Sequence, residues 1–228
     1  MERKPEKPTG KLGVLVIGMN GAVATTFIAG VMAVRKGYGV PVGSLTQMAT
    51  IRIGKREENN FPKIKDFLPL YDLSNIVFGG WDIRDESAYD GAKTAVVLLD
   101  KDLDPIKDEL SALRPMKAVF DQNYVKRLEG TYIKKGNTKA ELVEQVRADI
   151  RSFKSQNHLT DLVTIWCGST EVFIKPSDVH NSIESFEKGL AENHEDIAPS
   201  MIYAWASLLE NTPFINGAPN LTVDMKCV

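Results

Sequence analysis

The sequence predicts an α/β fold built on a doubly wound parallel sheet, and three observations support this. Apolar, β-branched runs that suit buried strands alternate with stretches that suit helices. The first run, residues 12–17, stops at a glycine and passes through a small-residue turn into a helix. Four runs end in small or polar turns, and the carboxyl ends of parallel strands share one edge of a sheet.

The composition is that of an ordinary globular protein. Of its 228 residues, 43% are hydrophobic and 25% are charged, and the formal net charge is −2. Acidic and basic residues are interleaved, which argues against a nucleic-acid surface, because binding phosphates requires clustered lysine and arginine. No apolar run reaches the ~20 residues that a membrane-spanning helix needs. We therefore expect a cytoplasmic protein without nucleic-acid or membrane partners.

The cysteines and the first residues exclude further classes of protein. Cys167 and Cys227 are the only cysteines, so the sequence predicts neither a disulfide framework nor a metal site. Residues 1–10 are polar, contain prolines and lack the apolar core of a signal peptide, so we expect a disordered lead-in. Residues 11–228 then form one nucleotide-binding domain, and the start of a second domain is possible after residue 218.

The first expected elements are a strand and a helix. Residues 12–17 (LGVLVI) carry no charge and suit a strand that is covered on both faces. Residues 25–35 suit a helix that ends at a basic last turn and Gly37. Residues 45–53 are compatible with a strand or a loop, and residues 57–71 are interpreted as a surface excursion.

The middle of the chain predicts one more strand and two helices. Residues 75–78 (NIVF) form the strand, which stops at Gly79. Helices are expected over residues 88–94 and over residues 103–113, the second with Pro105 in its first turn.

The last third contains the helix with the clearest sequence pattern, at residues 138–155. Thr138 and Glu141 predict a capping box at its start, and apolar residues then repeat at helical spacing. A buried strand follows at residues 161–167. The remaining expected elements are helices at residues 177–190 and 199–209 and a strand at residues 213–216.

The expected strand ends point to a ligand site. They are followed or closed by small, polar or acidic residues at 18–21, 79–82, 168–171 and 216–218. Since these ends meet at one edge of a parallel sheet, we expect a ligand there. Ordinary turn chemistry is the alternative, because glycine ends strands in many proteins.

Two of these ends have specific candidate roles. In the turn at residues 18–24, Val23 is the one bulky side chain that would obstruct a pyrophosphate, and the following helix offers unpaired N–H groups. Asp82 is the candidate acceptor for ribose hydroxyls, and its alternative role is to cap the next helix. Asn20 stands where the pattern G-x-G-x-x-G needs its second glycine, so the motif alone does not specify NAD.

Ser169 and Thr170 carry hydroxyl groups at the end of the third strand. They could donate hydrogen bonds to a nicotinamide or to a substrate, or they could only close a turn.

Five motifs together resemble the N-terminal part of the myo-inositol-1-phosphate synthase family. They are GMNGAVATT at residues 18–26, GSLTQMAT at 43–50, GGWDI at 79–83, PSMIYA at 199–204 and PFINGAP at 213–219. The corresponding family patterns, in the same order, are G-x-G-G-N-N-G-[ST]-T, G-S-x-x-Q-x-x-T, G-G-W-D-I, P-S-x-x-Y-A and P-F-I-N-G-[SA]-P. The resemblance extends over residues 12–220.

The resemblance implies an incomplete Rossmann-like domain and NAD as a cofactor that is regenerated within each catalytic cycle. It implies an isomerase that converts D-glucose 6-phosphate to 1L-myo-inositol 1-phosphate by internal oxidation, enolisation, aldol cyclisation and reduction. Such enzymes serve inositol and phospholipid biosynthesis and are commonly homotetramers. The resemblance places the family's catalytic lysines and aspartate in a second domain and a C-terminal segment beyond the PFING stretch, and no residues of this sequence match those regions. We therefore expect a cofactor-binding half without catalytic residues.

By position, the resemblance also implies a set of NAD contacts. These are Gly18, Met19, Asn20, Gly21, Ala22, Val23, Asp82, Gly168, Ser169, Thr170 and Gly217. Ala22 and Val23 replace two asparagines of the family, and Ala24 replaces its third motif glycine, so side-chain hydrogen bonds of the turn are lost. A non-catalytic nucleotide-binding or interaction module derived from the family is the alternative. An ordinary sugar-phosphate dehydrogenase is a weaker one, because it lacks the GGWDI and PFINGAP segments.

Overall fold

A parallel sheet forms the centre of the computed structural model, which describes residues 6–227. Its strands are β1 (Leu12–Ile17), β2 (Ile76–Asp82), β3 (Met116–Lys117), β4 (Asp161–Trp166) and β5 (Phe214–Asn216). They lie in the order β3-β2-β1-β4-β5, and each neighbouring pair is parallel. The chain starts at the centre of the sheet, adds β2 and β3 on one side and then β4 and β5 on the other. This order confirms the doubly wound α/β fold.

The helices fill the connections between the strands. They are α1 (Ala22–Arg35), α2 (Leu45–Met48), α3 (Ile64–Phe67), α4 (Ala88–Ala95), α5 (Asp100–Leu103), α6 (Lys107–Ala112), α7 (Lys139–Gln156), α8 (Ile183–Ala191) and α9 (Pro199–Leu209). Short 3-10 turns occur at Arg56–Glu58, Leu73–Asn75, Asp104–Ile106 and Asp178–His180. Within the described residues, none of these helices combines the length and the apolar character needed to cross a bilayer.

Apolar layers cover both faces of the sheet. Val16 and Ile17 are neighbours in β1 and point to opposite faces, because side chains alternate along a strand. Val16 belongs to the core beneath α1 and α4, with Ile28, whereas Ile17 belongs to the core beneath α7 and α9, with Val146 and Tyr203. Burial of each large apolar side chain contributes about 1.5–3 kcal/mol, so β1 anchors both layers.

Strand β2 is longer than the sequence indicates. The expected strand stopped at Phe78, but β2 continues through Gly79 and Gly80 to Asp82. A Cβ on Gly79 would lie 2.5 Å from the Phe153 ring, and one on Gly80 would clash with the Val16 carbonyl oxygen. Glycine is therefore needed inside this strand for close packing, and it does not end the strand.

Strand β3 is absent from the sequence-based expectation. It has two residues and pairs with the end of β2, Met116 with Trp81 and Lys117 with Asp82. A strand this short carries almost no periodicity, so its pairing depends on the neighbouring strand. The one local feature that could have indicated a strand here is the mainly apolar stretch after Pro115, which continues through Val119 and Phe120.

Several helix boundaries also differ from expectation. Helix α1 begins at Ala22 and not at residue 25, and the stretch expected as strand or loop contains the short helix α2 and a bridge at Thr50. The helix expected at 103–113 is divided among α5, a 3-10 turn and α6. The helix expected at 177–190 is divided between a 3-10 turn and α8.

The expected capping box of α7 is only half formed. Thr138 accepts the N–H of Glu141 at 3.1 Å, as predicted. The Glu141 carboxylate, however, accepts the N–H of Asn137 at 2.7 Å and not that of Thr138. The Glu141 carboxylate therefore bonds to the residue before the N-cap. The Thr138 hydroxyl and the Glu141 carboxylate together still cap the start of the helix.

The expected lead-in is only partly described. Residues 1–5 lie outside the described residues, as does Val228, and residues 6–11 form neither a helix nor a strand. Among the described residues, no group of three His, Cys, Asp or Glu side chains is arranged to hold a metal ion.

Candidate functional site

A cavity of about 290 Å³ lies at the carboxyl edge of the sheet, where β1, β2 and β4 end. Five of the residues singled out from the sequence line it: Gly18, Gly21, Asp82, Gly168 and Ser169. The strand register explains this convergence, because Ile17 pairs with Trp81 on one side and with Trp166 on the other. The expected strand ends of β1, β2 and β4 therefore meet around one cavity.

The turn after β1 is held by backbone hydrogen bonds. The N–H groups of Gly18 and Met19 donate to the Trp81 carbonyl oxygen at 2.9 and 3.2 Å, and the Gly21 N–H donates to Gly18 at 3.0 Å. Gly18 has φ +80°, and a Cβ there would lie 2.8 Å from the Gly168 Cα. The Met19 side chain is fully buried in the core. These N–H groups are already used within the fold, and they do not form an anion site.

The free donors lie in the first turn of α1. Since α1 begins at Ala22, the N–H groups of Ala22, Val23 and Ala24 have no acceptor within the helix. The first turn contains no acidic residue, and Val23 is 66% exposed. The partial positive charge of the helix N-terminus reinforces these donors. The unpaired N–H groups expected at the start of this helix therefore lie three residues earlier in the chain than predicted.

Asp82 closes the end of β2 with two hydrogen bonds. Its Oδ2 accepts the N–H of Asn20 at 3.0 Å, and its Oδ1 accepts the N–H of Arg84 at 3.2 Å. The side chain is buried but borders the cavity. A carboxylate has about four lone-pair sites, so it can accept further bonds from a ligand.

The alternative role of Asp82 as a helix cap is wrong. Helix α4 is capped by Ser87, whose Oγ accepts the N–H of Asp90 at 3.2 Å in a reciprocal capping box. Asp82 lies too early in the chain to reach that helix end, since the segment from Ile83 to Glu86 intervenes. Its role towards ribose hydroxyls remains a prediction.

Asn20, which replaces the second glycine of G-x-G-x-x-G, connects the turn after β1 to the segment after β2 by hydrogen bonds. Its Nδ2 donates to the Glu86 carbonyl oxygen at 2.8 Å, while its backbone N–H is held by Asp82. A Cβ on Gly91 of α4 would lie 2.7 Å from the Asn20 Cβ, so α4 packs directly on this residue. Asn20 therefore fixes the chain after β2 against the turn after β1.

The end of β4 contributes to the cavity through Cys167, Gly168 and Ser169. Thr170 lies outside this cavity and lines a separate one of about 110 Å³ together with Glu171. Gly217 also lies outside it, and its N–H donates to the Trp166 carbonyl oxygen at 3.0 Å. Thr170 and Gly217 are therefore next to the site and do not line it.

Glu171 links three segments behind the site. Its carboxylate accepts the N–H of Ser200 at 2.9 Å and the Ser200 hydroxyl, and its own N–H donates to Asn220 Oδ1 at 3.0 Å. Burial raises the pKa of Glu171 to about 7, and the hydrogen bonds from Ser200 oppose that shift. The carboxylate thus joins the β4 loop to the start of α9 and to the chain after β5.

A cluster of three aromatic residues packs at the wall of the cavity. The ring of Tyr203 lies 5.1 Å from Trp81 and 6.0 Å from Trp166, and both tryptophans line the cavity. The Tyr203 hydroxyl accepts the N–H of Val119 at 2.7 Å, and Trp81 Nε1 donates to Asp149 Oδ2 at 2.7 Å. The tyrosine of the PSMIYA motif and the tryptophan of the GGWDI motif therefore build one support.

Sequence reasoning missed the wall on the β3 side. Ala118, Val119 and Phe120 follow β3 and line the cavity, and Ile83 and Arg84 join them from β2. Without β3 in the expected sheet, nothing indicated that this run reaches the same edge.

A larger groove of about 1390 Å³ lies beyond this wall, between residues 119–139 and 172–177. Lysines and carboxylates both line it, including Lys135, Lys175, Asp121 and Glu195. It contains none of the glycine turns and not Asp82, so the smaller cavity is the better candidate.

The smaller cavity combines groups that suit a nucleotide. Gly21, the N-cap of α1, and Asp82 both line it, and apolar side chains offer a surface for a ring. Met19, Asn20, Ala22 and Val23 do not line it, but Ala22 follows Gly21 directly. Four buried polar side-chain atoms lack hydrogen-bond partners among the described residues: Asn20 Oδ1, Glu86 Oε1, Glu109 Oε2 and Trp166 Nε1. Trp166 lines this cavity, and Asn20 is hydrogen-bonded to Asp82, which also lines it. Unpaired buried polar atoms near a cavity suit a polar ligand.

Comparisons with known proteins identify the family of this chain. The family model described as myo-inositol-1-phosphate synthase matches residues 12–228. Inositol-3-phosphate synthase 1 of Bacteroides thetaiotaomicron is 52% identical over 225 residues, which are 98% of this chain and 52% of that protein. Inositol-3-phosphate synthase 1 of Plasmodium falciparum is 34% identical, over 98% of this chain and 39% of that protein.

A solved structure shares the fold. The crystal structure of inositol-3-phosphate synthase from Caenorhabditis elegans has a TM-score of 0.87 and 25% identity, over 95% of this chain and 46% of that one. The chain thus spans about half the length of the relatives that it matches. The family model is that of an NAD-binding domain, and NAD is the cofactor of this domain.

Proposed function

Because the chain belongs to the myo-inositol-1-phosphate synthase family, we propose that it forms the cofactor-binding part of an enzyme that converts D-glucose 6-phosphate to 1L-myo-inositol 1-phosphate. The observation that carries the proposal is that Gly21, the N-cap of α1, and Asp82 line one cavity at the carboxyl edge of the sheet. That arrangement supplies the two groups that a dinucleotide needs, donors for its diphosphate and an acceptor for its ribose.

Within this proposal, each strand end has one task. The N–H groups of Ala22 and Val23 would hold the diphosphate, with Gly18 and Gly21 leaving room for it. Asp82 would accept from the ribose next to β2. The β4 side, with Gly168, Ser169 and Thr170, and Gly217 after β5 would lie towards the nicotinamide.

NAD, when bound, would accept a hydride from the sugar and return it before the product leaves. The remaining steps would be enolisation and aldol cyclisation, and each needs a base near carbon and charge stabilisation at oxygen. We assign none of these tasks to the described residues. In this proposal, these tasks belong to the part of the family's enzymes that lies outside the region matched by this chain.

We also propose that the protein self-associates, as a homotetramer in the whole enzyme, and that it is cytoplasmic. Exposed apolar side chains after α1 support self-association. They include Tyr38, Val40, Val42 and Leu45, which are each more than 60% exposed. Large exposed apolar patches commonly mark interfaces.

Calorimetric titration with NAD tests the proposal, and a charge placed in the first turn of α1 makes the test specific. Val23→Glu should weaken NAD binding at least about tenfold by repelling the diphosphate, while an acidic residue at a helix N-terminus supports the fold. Ile183→Glu, which adds the same charge in the first turn of α8 at a residue that is 54% exposed and outside the cavity lining, is the matched control.

Absence of NAD binding to the unaltered chain, or equal binding by both variants, would contradict the proposal. The whole reading frame should in addition convert D-glucose 6-phosphate in the presence of NAD. NAD binding without conversion would favour the non-catalytic module.

A further inference from the structure

An ion pair stands at the rim of the cavity, just beyond the end of β2. Arg84 Nε lies 3.2 Å from Glu86 Oε1, and Arg84 lines the cavity whereas Glu86 lies behind it. The contact lacks hydrogen-bond geometry, so Glu86 Oε1 is buried without a hydrogen-bond partner among residues 6–227. The Arg84 side chain is 47% exposed, and its guanidinium can reach a ligand as well as Glu86.

The position of this pair coincides with the part of the site that distinguishes two cofactors. In doubly wound folds, an acidic residue at the end of the second strand accepts from the ribose 2′-hydroxyl of NAD, and a nearby arginine accommodates the 2′-phosphate of NADP. Here Asp82 is the last residue of β2, and Arg84 follows two residues later. The chain therefore carries a group suited to each cofactor on the same short segment.

The segment is held rigidly beside the diphosphate donors. Asn20 donates its backbone N–H to Asp82 at 3.0 Å and its Nδ2 to the Glu86 carbonyl oxygen at 2.8 Å. The Asp82 Oδ1 in turn accepts the N–H of Arg84 at 3.2 Å. These bonds involve the backbone of Arg84 and of Glu86, so they fix the course of the segment from Asp82 to Glu86 relative to the turn.

The segment after β2 carries an excess of negative charge. Asp82, Asp85 and Glu86 contribute three negative charges against the single positive charge of Arg84. We propose that Glu86 makes this domain selective for NAD over NADP by occupying Arg84, which would otherwise bind a 2′-phosphate. This inference rests on the proposed function, namely that this cavity holds the dinucleotide.

Titration calorimetry with NAD and NADP tests the inference through the ratio of their dissociation constants. Glu86→Gln removes the charge and keeps the size of the side chain, and the ratio Kd(NADP)/Kd(NAD) should fall by about tenfold. The gain should shrink as salt rises, because the phosphate contact is partly exposed. In the double variant Glu86→Gln with Arg84→Gln, the ratio should return towards that of the unaltered chain.

Glu144→Gln is the matched control, since Glu144 forms an ion pair with Arg147 on α7 and lies outside the cavity lining. Its ratio should equal that of the unaltered chain. An unchanged ratio in Glu86→Gln, or a gain that persists without Arg84, overturns this inference and leaves the NAD site intact. Failure of the unaltered chain to bind either dinucleotide overturns both the inference and the proposed function.

Discussion

The Asp82 carboxylate accepts the backbone N–H of Asn20 at 3.0 Å and thereby joins two segments that are 62 residues apart in the sequence. The bond connects the last residue of β2 to the turn that follows β1. It uses the N–H of Asn20, whereas the N–H groups at the start of α1 have no acceptor within the helix and are available to an anion. One buried side chain thus shapes the turn and borders the cavity.

Replacing Asp82 with asparagine should lower both stability and cofactor affinity. The amide keeps the size of the side chain but offers one acceptor oxygen to two N–H donors, which should cost about 1–3 kcal/mol of unfolding free energy. The dissociation constant for NAD should rise by about tenfold as the charged acceptor for ribose is lost. Urea unfolding and calorimetry measure the two effects.

Glu187→Gln, on the exposed face of α8, is the control for this change and should alter neither quantity. If Asp82→Asn loses stability while the NAD dissociation constant stays the same, Asp82 only positions the turn.

Replacing Gly18 with alanine should be strongly destabilising. The residue has φ +80°, and a Cβ would lie 2.8 Å from the Gly168 Cα, so the strands β1 and β4 would have to separate. The expected loss is about 2–4 kcal/mol, or roughly 5–15 °C in melting temperature for a domain of this size. Differential scanning calorimetry provides the measurement.

Gly30→Ala is the matched change with the opposite expected sign. Gly30 lies within α1, and nothing would come within 4 Å of its Cβ, so alanine should stabilise the helix by about 0.5–1 kcal/mol. Similar melting temperatures for the two variants would contradict the packing described here.

Stability should depend on pH through Glu171. Burial raises its pKa from 4.5 to about 7 in the folded protein. The folded state then binds more protons than the unfolded state between these values, so its contribution is fully present below about pH 4.5 and is lost as the pH rises towards 7.

Glu171→Gln isolates this contribution, because the amide has the same size and does not ionise. The unfolding free energy of the unaltered chain minus that of the variant should fall by up to about 3 kcal/mol between pH 4.5 and 7. A difference that stays flat or rises across this range would contradict it. Urea titrations at closely spaced pH values supply the data.

Replacing Tyr203 with phenylalanine should loosen the wall of the cavity. The hydroxyl accepts the buried N–H of Val119 at 2.7 Å, and its removal leaves that donor without a partner at a cost of about 1–3 kcal/mol. The Val119 amide should exchange its hydrogen faster, which NMR can follow. Tyr38→Phe, at a residue that is 67% exposed, should change neither stability nor exchange; an unchanged Val119 amide in Tyr203→Phe would argue against the contact.

Much of the fold could be predicted because its signals are local. The apolar run of β1, the amphipathic face of α7 and the capping pair at Thr138 each depend on a few adjacent residues, and each yields its element. The two-residue strand β3 and the continuation of β2 through Gly79 could not be predicted, because both depend on neighbours distant in sequence.

The candidate site could likewise be predicted only where its residues depend on local patterns. Of the residues that sequence reasoning selected, five line one cavity: Gly18, Gly21, Asp82, Gly168 and Ser169. The other six do not line it: Met19, Asn20, Ala22, Val23, Thr170 and Gly217. Sequence reasoning placed the start of α1, and with it the unpaired N–H donors, three residues too late, because the small residues at 22–24 read as a turn. Arg84 was not selected at all, since its importance comes from its place beside Asp82 and Glu86.

By itself, the sequence determined the α/β class, the strands β1, β4 and β5, the helix α7 and the family resemblance, since periodicity, capping and motifs are written in neighbouring residues. The tertiary structure alone decided which donors remain free, which carboxylate holds the turn and which charges surround Arg84. Those properties depend on hydrogen bonds between segments that only the parallel sheet brings together. These bonds form on folding, when some backbone and side-chain groups are paired within the protein and others stay available to a ligand.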